Sequence, residues 1–585
     1  MALVSFKNFS FKYQENANDI LHNINFEVYP GEFVLFCGPS GSGKTTLLTN
    51  VKKEIRPIGS NDGRIIYDGQ DIENLEDEKS ASEIGFLFQN PEDQFVSDNV
   101  IQEIAFPLEN IGLSTYEIRN RVAEMAAFFG LDKYLYKKVN ELSGGQKQLV
   151  NLCSLLVLKP RLLLLDEPTS QLDPIAAYDF LSLLRRLNEE FSITIMATEH
   201  KIDNIFPIVD KAVFLDEGKI KYIDKPQQIC SKTWDDPIFN NYMPSVTKIH
   251  FLLRSKYSFL NEMEIPLKIR EGRQELAFLD EKLKGNFNTT LKKDEISKIE
   301  ANYSTETKKN TYNGLLNCDD VWFGYIKNNI VIKGIFLDTC SGEFLSILGG
   351  NGTGKTTLLQ ILAGLIKPQK GKINLKKGTK IGYVHQNPMI HLWHGTVQEE
   401  LSDYSLKFLE DKIEYKNSSK FKKWMNNGSK IDESKVNQFI SDAEKKELID
   451  FFDLSHLMDK HPYDCSGGEK QKIAIIKALL TKPDILLLDE PTKGLDPISK
   501  LNLADKLKKM QQKGLTIIMA THDIDFAAEY SQRCMILFDG KIQVDNNPKN
   551  VFSNNSFYTT FVNRLVTEYL PNSITISDVK NNWMI

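Results

Sequence analysis

Two glycine-rich segments of this 585-residue chain have the residue pattern that binds nucleotide phosphates. Residues 38–46 read GPSGSGKTT, and residues 349–357 read GGNGTGKTT. In the pattern G-x-x-x-x-G-K-[ST], glycines allow backbone N–H groups and a helix N-terminus to surround the β- and γ-phosphates. The lysine neutralises phosphate charge, and the hydroxyl after it is a hard oxygen ligand for Mg²⁺. The loop residues that we predict to contact ATP are Gly38, Ser40, Gly41, Gly43, Lys44, Thr45, Thr46, Gly349, Asn351, Gly352, Gly354, Lys355, Thr356 and Thr357.

Each phosphate loop is matched by an acidic pair further along the chain. Asp166 and Glu167 follow the apolar run LLLL, and Asp489 and Glu490 follow the run ILLL. A carboxylate at the carboxyl end of a buried strand lies at the sheet edge where α/β folds bind ligands. We therefore predict that the aspartates anchor Mg²⁺ together with the loop threonines. The glutamates are predicted to polarise the water that attacks the γ-phosphate.

Short apolar runs predict the sheet that positions these residues. Runs at Phe33–Cys37 and Phe344–Leu348 precede the two phosphate loops, and helices are predicted over 45–51 and 356–362. The other runs lack polar alternation, which is typical of parallel strands buried on both faces. These runs are 162–165, 193–197, 485–488 and 516–520. Each half is therefore predicted to be an α/β domain with a central, largely parallel sheet.

The motifs occur twice in the same order, which indicates an internal duplication. The loop lysines are 311 residues apart and the strand-end aspartates 323, so the second half carries extra residues between these points. We expect a surface insertion at about 402–441, which is rich in Lys, Asn and Ser. Between the halves, 249–283 has the spaced apolar residues of amphipathic helices, and 292–314 has the polar sequence of a tether. The predicted units are a first nucleotide-binding domain at 1–245, an extension with linker at 246–314, a second nucleotide-binding domain at 315–560, and a C-terminal tail at 561–585.

The composition indicates a folded intracellular protein. With 41% hydrophobic and 26% charged residues, the chain is neither a disordered nor a collagen-like sequence. The formal net charge of -6 gives no overall attraction to nucleic acid or anionic lipid. The seven cysteines are far apart and lack metal-ligand spacing, which predicts reduced thiols. We expect neither export nor a membrane span, because no signal-peptide pattern or long apolar stretch occurs.

Further motifs resemble those of ATP-binding-cassette (ABC) ATPases. They are LSGGQ at 142–146, CSGGE at 465–469, SQLD at 170–173, KGLD at 493–496, and a histidine after the next strand of each half, His200 and His522. The resemblance covers nearly all of the chain outside 246–314 and 402–441. It implies two tandem nucleotide-binding domains that pair within one chain. Each would have a RecA-like α/β core, a helical subdomain and a small antiparallel β part.

The resemblance also implies two composite ATP sites. In the family, the serine and glycines of the LSGGQ-type motif form an anion site at a helix N-terminus, which serves the γ-phosphate held by the opposite cassette. The first site would group Lys44, Thr45, Gln89, Asp166, Glu167 and His200 with Ser466, Gly467 and Gly468. The second would group Lys355, Thr356, Gln386, Asp489, Glu490 and His522 with Ser143, Gly144 and Gly145. By the same resemblance, Gln146 and Glu469 border the nucleotide, the two glutamates and two histidines are catalytic, and Gln89 and Gln386 join the threonines and aspartates on Mg²⁺.

Two aromatic residues and one unusual motif complete the predicted sites. Tyr13 and Tyr325 precede the phosphate loops at the spacing at which the family stacks an aromatic ring on adenine; a core or edge-strand tyrosine is the alternative. Cys465 and Glu469 replace the usual Leu and Gln, so a carboxylate is expected near the site built on Lys44. Both catalytic sets are complete, and we expect both sites to hydrolyse ATP.

The segment around Gln89 narrows the kind of ABC ATPase that the sequence resembles. Residues 88–110, FQNPEDQFVSDNVIQEIAFPLEN, and 243–249, MPSVTKI, resemble the ATPases of energy-coupling-factor importers of vitamins and metal ions. The resemblance implies a motor subunit on the cytoplasmic face of a bacterial membrane. Its partners would be an integral T component and a small substrate-binding S component, with no nucleic acid. Glu92 and Asp93 would meet arginines of the T component; a solvated acidic loop is the alternative. The second half has NPMIHLWHGTV after Gln386 and lacks both acids, so the two grooves should differ.

Two other classes share parts of this pattern. A double-cassette translation factor acting on the ribosome also has fused cassettes and a charged linker. Here residues 246–314 contain thirteen basic and ten acidic residues rather than a strongly basic helical pair, and Lys201 follows His200 where those factors commonly have Asp-Arg. A double-cassette sugar importer commonly has one degenerate half, whereas both halves are complete here. The substrate stays open among vitamins, their precursors and metal ions.

Overall fold

A computed structural model describes residues 1–14, 18–283, 314–326, 329–402, 442–553, 555 and 558–583. Most of the predicted insertion at 402–441 and of the predicted tether at 292–314 lies outside these residues. Within the described ranges, no helix has the length and apolarity needed to cross a membrane.

The first cassette contains two sheets flanked by helices. Its strands are β1 Val4–Tyr13, β2 Leu21–Val28, β3 Phe33–Cys37, β4 Gly59–Tyr67, β5 Gln70–Asp71, β6 Ile84–Leu87, β7 Leu162–Asp166, β8 Thr194–Thr198, β9 Lys211–Asp216 and β10 Lys219–Asp224. Its helices are α1 Lys44–Thr49, α2 Asp77–Glu83, α3 Val100–Asn110, α4 Thr115–Phe129, α5 Gly144–Leu156, α6 Pro174–Phe191, α7 Ile202–Ile205 and α8 Pro226–Thr233. One sheet has the order β2-β1-β4-β5 and is antiparallel; the other has the order β10-β9-β3-β8-β7-β6 and is parallel except for β10.

Two helices, α9 Ser245–Lys256 and α10 Ile269–Lys282, follow the first cassette. The second cassette then repeats the fold. Its strands are β11 Leu316–Ile326, β12 Asn329–Thr339, β13 Phe344–Leu348, β14 Lys370–Leu375, β15 Ile381–Val384, β16 Ile485–Asp489, β17 Thr516–Thr521, β18 Arg533–Phe538 and β19 Lys541–Asn546. Within the described residues, its helices are α11 Lys355–Leu362, α12 Val397–Ser402, α13 Asp442–Phe451, α14 Gly467–Leu479, α15 Pro497–Gln512, α16 Ile524–Tyr530 and α17 Pro548–Ser553. The sheet orders are β12-β11-β14 and β15-β16-β17-β13-β18-β19, the latter parallel except for β19.

The α/β prediction is confirmed, because the apolar runs form parallel strands at the centre of each large sheet. Alternate residues of β3 face opposite layers: Phe33 and Leu35 pack in the core beneath α5 and α6, whereas Val34 and Phe36 pack against α1 and the antiparallel sheet. Burial on both faces explains why these runs show no polar alternation. The sheet therefore holds the carboxyl ends of β3, β7 and β8 together at one edge.

The helices that flank the cassettes form two further units. Helices α3, α4 and α5 share a separate core and form the predicted helical subdomain of the first cassette. Helices α9 and α10 pack with the last two helices, α18 Phe561–Val566 and α19 Ile576–Trp583, around a common apolar core. Arg273 of α10 donates to the Arg564 carbonyl of α18 at 2.5 and 3.0 Å. The predicted extension and the predicted C-terminal tail thus meet in one helical unit.

Candidate nucleotide sites

Each phosphate loop leads from a central strand into a helix. Gly43 and Gly354 have φ angles of 97° and 103°, which only glycine adopts without strain, and α1 and α11 begin at the next residues. Lys44 and Lys355 are buried, and their Nζ atoms donate to carbonyl oxygens of their own loops at 2.8–3.1 Å. The two ammonium groups therefore lie within the turn in which backbone N–H groups cradle phosphates.

The strand-end aspartates lie beside the loop threonines. Asp166 Oδ2 accepts a hydrogen bond from Thr45 Oγ1 at 2.9 Å, and Asp166 Oδ1 accepts one from Thr198 Oγ1 at 2.7 Å. Both Asp489 oxygens are buried without a well-placed donor among the described residues. Burial raises the pKa of Asp489 to about 6, and the Thr356 hydroxyl offsets only part of this effect. Hydroxyl and carboxylate oxygens are the ligands that Mg²⁺ prefers, and a cation would stabilise each buried carboxylate, so both sets fit this ion.

The next residue of each half is a glutamate held by a histidine. Glu167 Oε1 lies 2.8 Å from His200 Nε2, and Gln89 Nε2 donates to Glu167 Oε2 at 2.6 Å. In the second site, Glu490 Oε2 lies 2.7 Å from His522 Nδ1. Both glutamates have positive φ, 44° and 50°, a strained conformation that clusters at functional sites.

The charge state of these glutamates suits a base that orients water. Burial alone would raise the pKa of Glu490, but His522 and Lys355, whose Nζ lies 3.4 Å away, lower it to about 2. The pKa of Glu167 is also lowered, because His200 and Lys44 outweigh burial. Both carboxylates are therefore ionised at neutral pH and can accept a hydrogen bond from an attacking water.

Each phosphate loop contacts the D loop of the opposite cassette; the D loops are residues 170–173 and 493–496. Ser40 donates to Asp496 Oδ2 from its Oγ at 2.6 Å and from its backbone N at 3.3 Å. In the other site, the Asn351 backbone N donates to Asp173 Oδ2 at 3.3 Å. These contacts join loops from different halves of the chain, which is the arrangement that composite sites need.

The LSGGQ-type motifs begin helices beside the D loops of their own cassettes. Ser143 Oγ accepts from the Gln146 backbone N, and Gln146 Oε1 accepts from the Ser143 N at 3.0 Å, so the two residues cap α5. Ser466 and Glu469 form the same cap on α14, with Ser466 N donating to Glu469 at 2.7 Å. Glu469 thus caps α14 in the same way as Gln146 caps α5. The pairing of these motifs with the opposite phosphate loops stays a prediction.

The predicted adenine-stacking tyrosines lie beside the helices that follow the phosphate loops. The Tyr13 hydroxyl is 3.0 Å from Thr46 Oγ1, and the Tyr325 hydroxyl is 3.2 Å from Thr357 Oγ1. Tyr325 is 62% exposed, so its ring is open to a ligand. The two positions are equivalent, and stacking on adenine stays a prediction.

The acidic residues predicted to meet a partner follow Gln89 in a short 3₁₀ turn at Pro91–Asp93. Both carboxylates are exposed. Glu92 forms an ion pair with Lys147 on α5, and Asp93 accepts from the Asn90 side chain at 2.9 Å. The turn is therefore tied to α5, and contact with a partner stays a prediction.

Sequence reasoning missed a buried glutamate that holds the segment after each of these glutamines, Gln89 and Gln386. Glu103 on α3 accepts hydrogen bonds from the backbone N atoms of Val96 and Ser97 at 3.0 and 2.7 Å. Glu400 on α12 accepts from the backbone N atoms of Trp393 and His394 and also pairs with Lys477 of α14. Each acid is the fourth residue of its helix, a position that was not predicted from the sequence. Its partners are backbone groups, which carry no sequence signature.

The fold and the two phosphate loops define an ATPase of the P-loop class in which each phosphate loop contacts the opposite cassette. Residues 21–170 and 332–493 match the profile of the family described as ABC transporter. The chain belongs to this family, whose members hydrolyse ATP, and the predicted fold with two fused cassettes is confirmed.

Curated relatives agree with this assignment, and two solved structures are also similar to the chain. An ABC transporter ATP-binding protein of Bacillus thuringiensis subsp. konkukian is 39% identical over 591 residues, which cover 99% of this chain and 98% of that one. The chain shares its fold with the archaeal ribosome recycling factor aABCE1, which was crystallised in complex with ribosomal stalk protein aP1. The TM-score is 0.53 at 20% identity, and the match covers 96% of this chain and 92% of that one. CbiO1 of Clostridium perfringens, part of the CbiONQ transporter complex, has a TM-score of 0.36 at 29% identity over 40% of this chain and 96% of that one.

Proposed function

We propose that this protein is the ATP-hydrolysing motor subunit of an energy-coupling-factor importer that takes up a vitamin, a vitamin precursor or a metal ion. Three features support this role over that of a soluble translation factor. The segment at 88–110 resembles importer ATPases, the relative at 39% identity over 99% of the chain is described as a transporter ATP-binding protein, and Lys201 follows His200 where translation factors commonly have Asp-Arg. The membrane partners would be an integral T component and a small S component that binds the substrate.

The observation that carries the proposal is the link between an exposed acidic turn and the catalytic glutamate. Gln89 donates to Glu167 at 2.6 Å, and the exposed carboxylates of Glu92 and Asp93 lie three and four residues further along the same segment. A cationic element of a membrane partner docked on this turn would displace Gln89 and thus change the position of the base. Partner movement and ATP hydrolysis are coupled through this short segment.

The reaction follows from the roles of these side chains. Lys44 and Lys355 bind the β- and γ-phosphates, and closure of each D loop on the opposite phosphate loop excludes bulk water. Glu167 and Glu490 orient the attacking water, and the histidines hold these glutamates in place. Mg²⁺ would be held by Thr45, Asp166 and Gln89 in the first site and by Thr356, Asp489 and Gln386 in the second. When bound, it neutralises charge that develops on the phosphates. Loss of the γ-phosphate then lets the D loops separate.

The test is affinity purification of the tagged full-length chain from gently solubilised native cells, with identification of stoichiometric partners by mass spectrometry. We expect one large membrane scaffold and one small hydrophobic protein. Reversal of charge at Glu92 and Asp93, each to Lys, should reduce recovery of the scaffold. The matched control is the same reversal at Glu189 and Glu190, an adjacent, exposed acidic pair on α6.

Two results would contradict the proposal. Recovery with ribosomal subunits and without membrane proteins would assign the chain to the translation factors. Equal loss of the scaffold in both charge-reversed variants would show that the acidic turn is not the docking point, because general charge effects would then explain the loss.

A further inference from the structure

Asp496 is the centre of the contact that closes the Lys44 site. Its side chain is 1% exposed and accepts hydrogen bonds from groups of both cassettes. Ser40 of the first cassette donates from Oγ and N, and Ser499 of the second donates from Oγ at 2.5 Å and from N at 3.1 Å. The Tyr242 hydroxyl donates to Asp496 Oδ1 at 3.1 Å. Donors from two separate regions of the first cassette therefore hold one carboxylate of the second.

Tyr242 is a rigid donor. It lies at the end of the 3₁₀ turn Phe239–Tyr242, three residues before α9 begins, and it is 0% exposed. Its ring packs in the main core of the first cassette, with centroids 6.2 Å from Phe239 and 6.3 Å from Phe214. A hydroxyl fixed in this way ties the D loop of the second cassette to the body of the first, independently of the phosphate loop.

The equivalent contact at the Lys355 site is weaker. Asp173 is only half-buried and accepts from the backbone N atoms of Ala176 at 3.0 Å and Asn351 at 3.3 Å. Ala176 stands where the second cassette has Ser499, so one hydroxyl donor is absent from the first D loop. Tyr558 is the counterpart of Tyr242, but its buried hydroxyl makes no hydrogen bond of standard geometry within the described residues.

We propose that Tyr242 is a positioning residue that holds the second D loop against the first phosphate loop, so that the Lys44 site opens more slowly than the Lys355 site. The two sites have the same catalytic residue types, and the difference lies in the donors around Asp496 and Asp173. ADP therefore leaves the Lys355 site first, while the Lys44 site stays closed. This inference concerns the ATPase itself and does not depend on the nature of the membrane partner.

Two backbone amides give a matched measurement of opening. The Ser40 amide donates to Asp496 and the Asn351 amide donates to Asp173, each at 3.3 Å. Hydrogen exchange of these amides in the ADP-bound full chain should be slower at Ser40. Substitution Tyr242→Phe removes one hydroxyl and keeps the ring, so exchange at Ser40 should rise on the order of tenfold, as expected for loss of a hydrogen bond to a carboxylate. The control Tyr558→Phe should leave exchange at Ser40 unchanged.

A second measurement distinguishes a positioning role of Tyr242 from a general loosening of the core of the first cassette. Dissociation of a fluorescent ADP analogue should have a slow and a fast phase, and Tyr242→Phe should accelerate the slow phase alone. Exchange in β3, which belongs to the same core as Tyr242, should not change. If Tyr242→Phe loosens that core, Ser499→Ala removes a different donor to Asp496 and should also accelerate exchange at Ser40.

Three results would overturn the inference. Equal exchange at Ser40 and Asn351 in the unmodified chain would remove the asymmetry. Unchanged exchange at Ser40 in both Tyr242→Phe and Ser499→Ala would show that these donors do not hold the D loop. Acceleration of both ADP phases by Tyr242→Phe would show that the two sites open together.

Discussion

The buried glutamates after Gln89 and Gln386 allow a prediction in which the two halves of the chain serve as controls for each other. Glu103 and Glu400 hold equivalent segments, but Glu400 also pairs with a partly buried lysine, Lys477 of α14. Ser154 stands at the matching position of α5. Burial raises the pKa of Glu103, whereas Lys477 and two backbone N–H groups outweigh burial and lower the pKa of Glu400. Substitution by Ala should therefore have unequal effects.

The magnitudes follow from the groups left behind. Glu103→Ala removes the acceptor of two backbone N–H groups, and relief of a buried carboxylate offsets part of that loss, so we expect a cost of about 2 kcal/mol. Glu400→Ala removes the two equivalent hydrogen bonds. It also removes the carboxylate that pairs with Lys477, whose side chain is 16% exposed. Breaking a buried ion pair on one side costs about 3–5 kcal/mol. The second substitution should thus cost about twice as much as the first.

Native-state hydrogen exchange of peptides spanning 88–100 and 386–397 measures the local free energy of opening. Substitution Lys477→Met should cost much less in the Glu400→Ala background than in the unmodified chain, because the charge it removes is already unpaired. This double-mutant cycle should give a coupling free energy of about 2 kcal/mol between Glu400 and Lys477. Equal costs for Glu103→Ala and Glu400→Ala, or a coupling below about 0.5 kcal/mol, would refute the reasoning.

Three further predictions concern the sites and the helical unit. Replacing both Glu167 and Glu490 by Gln should lower ATP turnover at least about 100-fold while ATP binding measured by calorimetry persists, and full activity would exclude these glutamates as bases. The pKa of Asp496 is lowered to about 2, because Ser40 and other donors outweigh burial. Its contribution to the closed state is thus fully present above about pH 4 and is lost as the pH falls toward 2. Protection of the Ser40 amide from hydrogen exchange, measured at a series of pH values, would show this loss. Gly272→Ala would place a Cβ 2.7 Å from Leu565 and should destabilise the helical unit by about 1–3 kcal/mol, whereas an unchanged melting curve would show that the two helices separate easily.

The catalytic elements were predictable because their signals are local. The strand Phe33–Cys37 has the predicted bounds, and the helices after the loops begin one residue before the predicted 45 and 356. Glycine-rich turns and continuous apolar runs determine backbone conformation over a few residues, so periodicity and residue type suffice. The predicted amphipathic helices in 249–283 also form, and most of their apolar residues are buried, although Phe259 is 36% exposed.

The contacts that join distant segments were not predictable in this way. Tyr242 and Asp496 are separated by 254 residues, and neither residue type by itself indicates the other. Amphipathic spacing showed that α10 buries one face but not that α18 covers it, because many apolar surfaces satisfy the same pattern. The structure was needed to show that the extension in the middle of the chain and the C-terminal tail pack together.

The supports around the two sites differ more than the sites themselves. In the second cassette, Glu400 is held by Lys477, and Asp496 is held by Ser40 and Tyr242; the matching segments of the first cassette have fewer charged or hydroxyl donors. A homodimer cannot maintain such a difference, because symmetry gives both sites identical surroundings. In a fused chain, a substitution in one cassette occurs once, so it changes the surroundings of one ATP site without changing those of the other in the same way. Under the proposed function, the first cassette would combine a less firmly held segment after Gln89 with the more firmly closed phosphate loop. Movement of Gln89 would then reach Glu167 while ATP is still enclosed. Under the proposed function, that combination would suit the first cassette to sense a partner and the second to release product first.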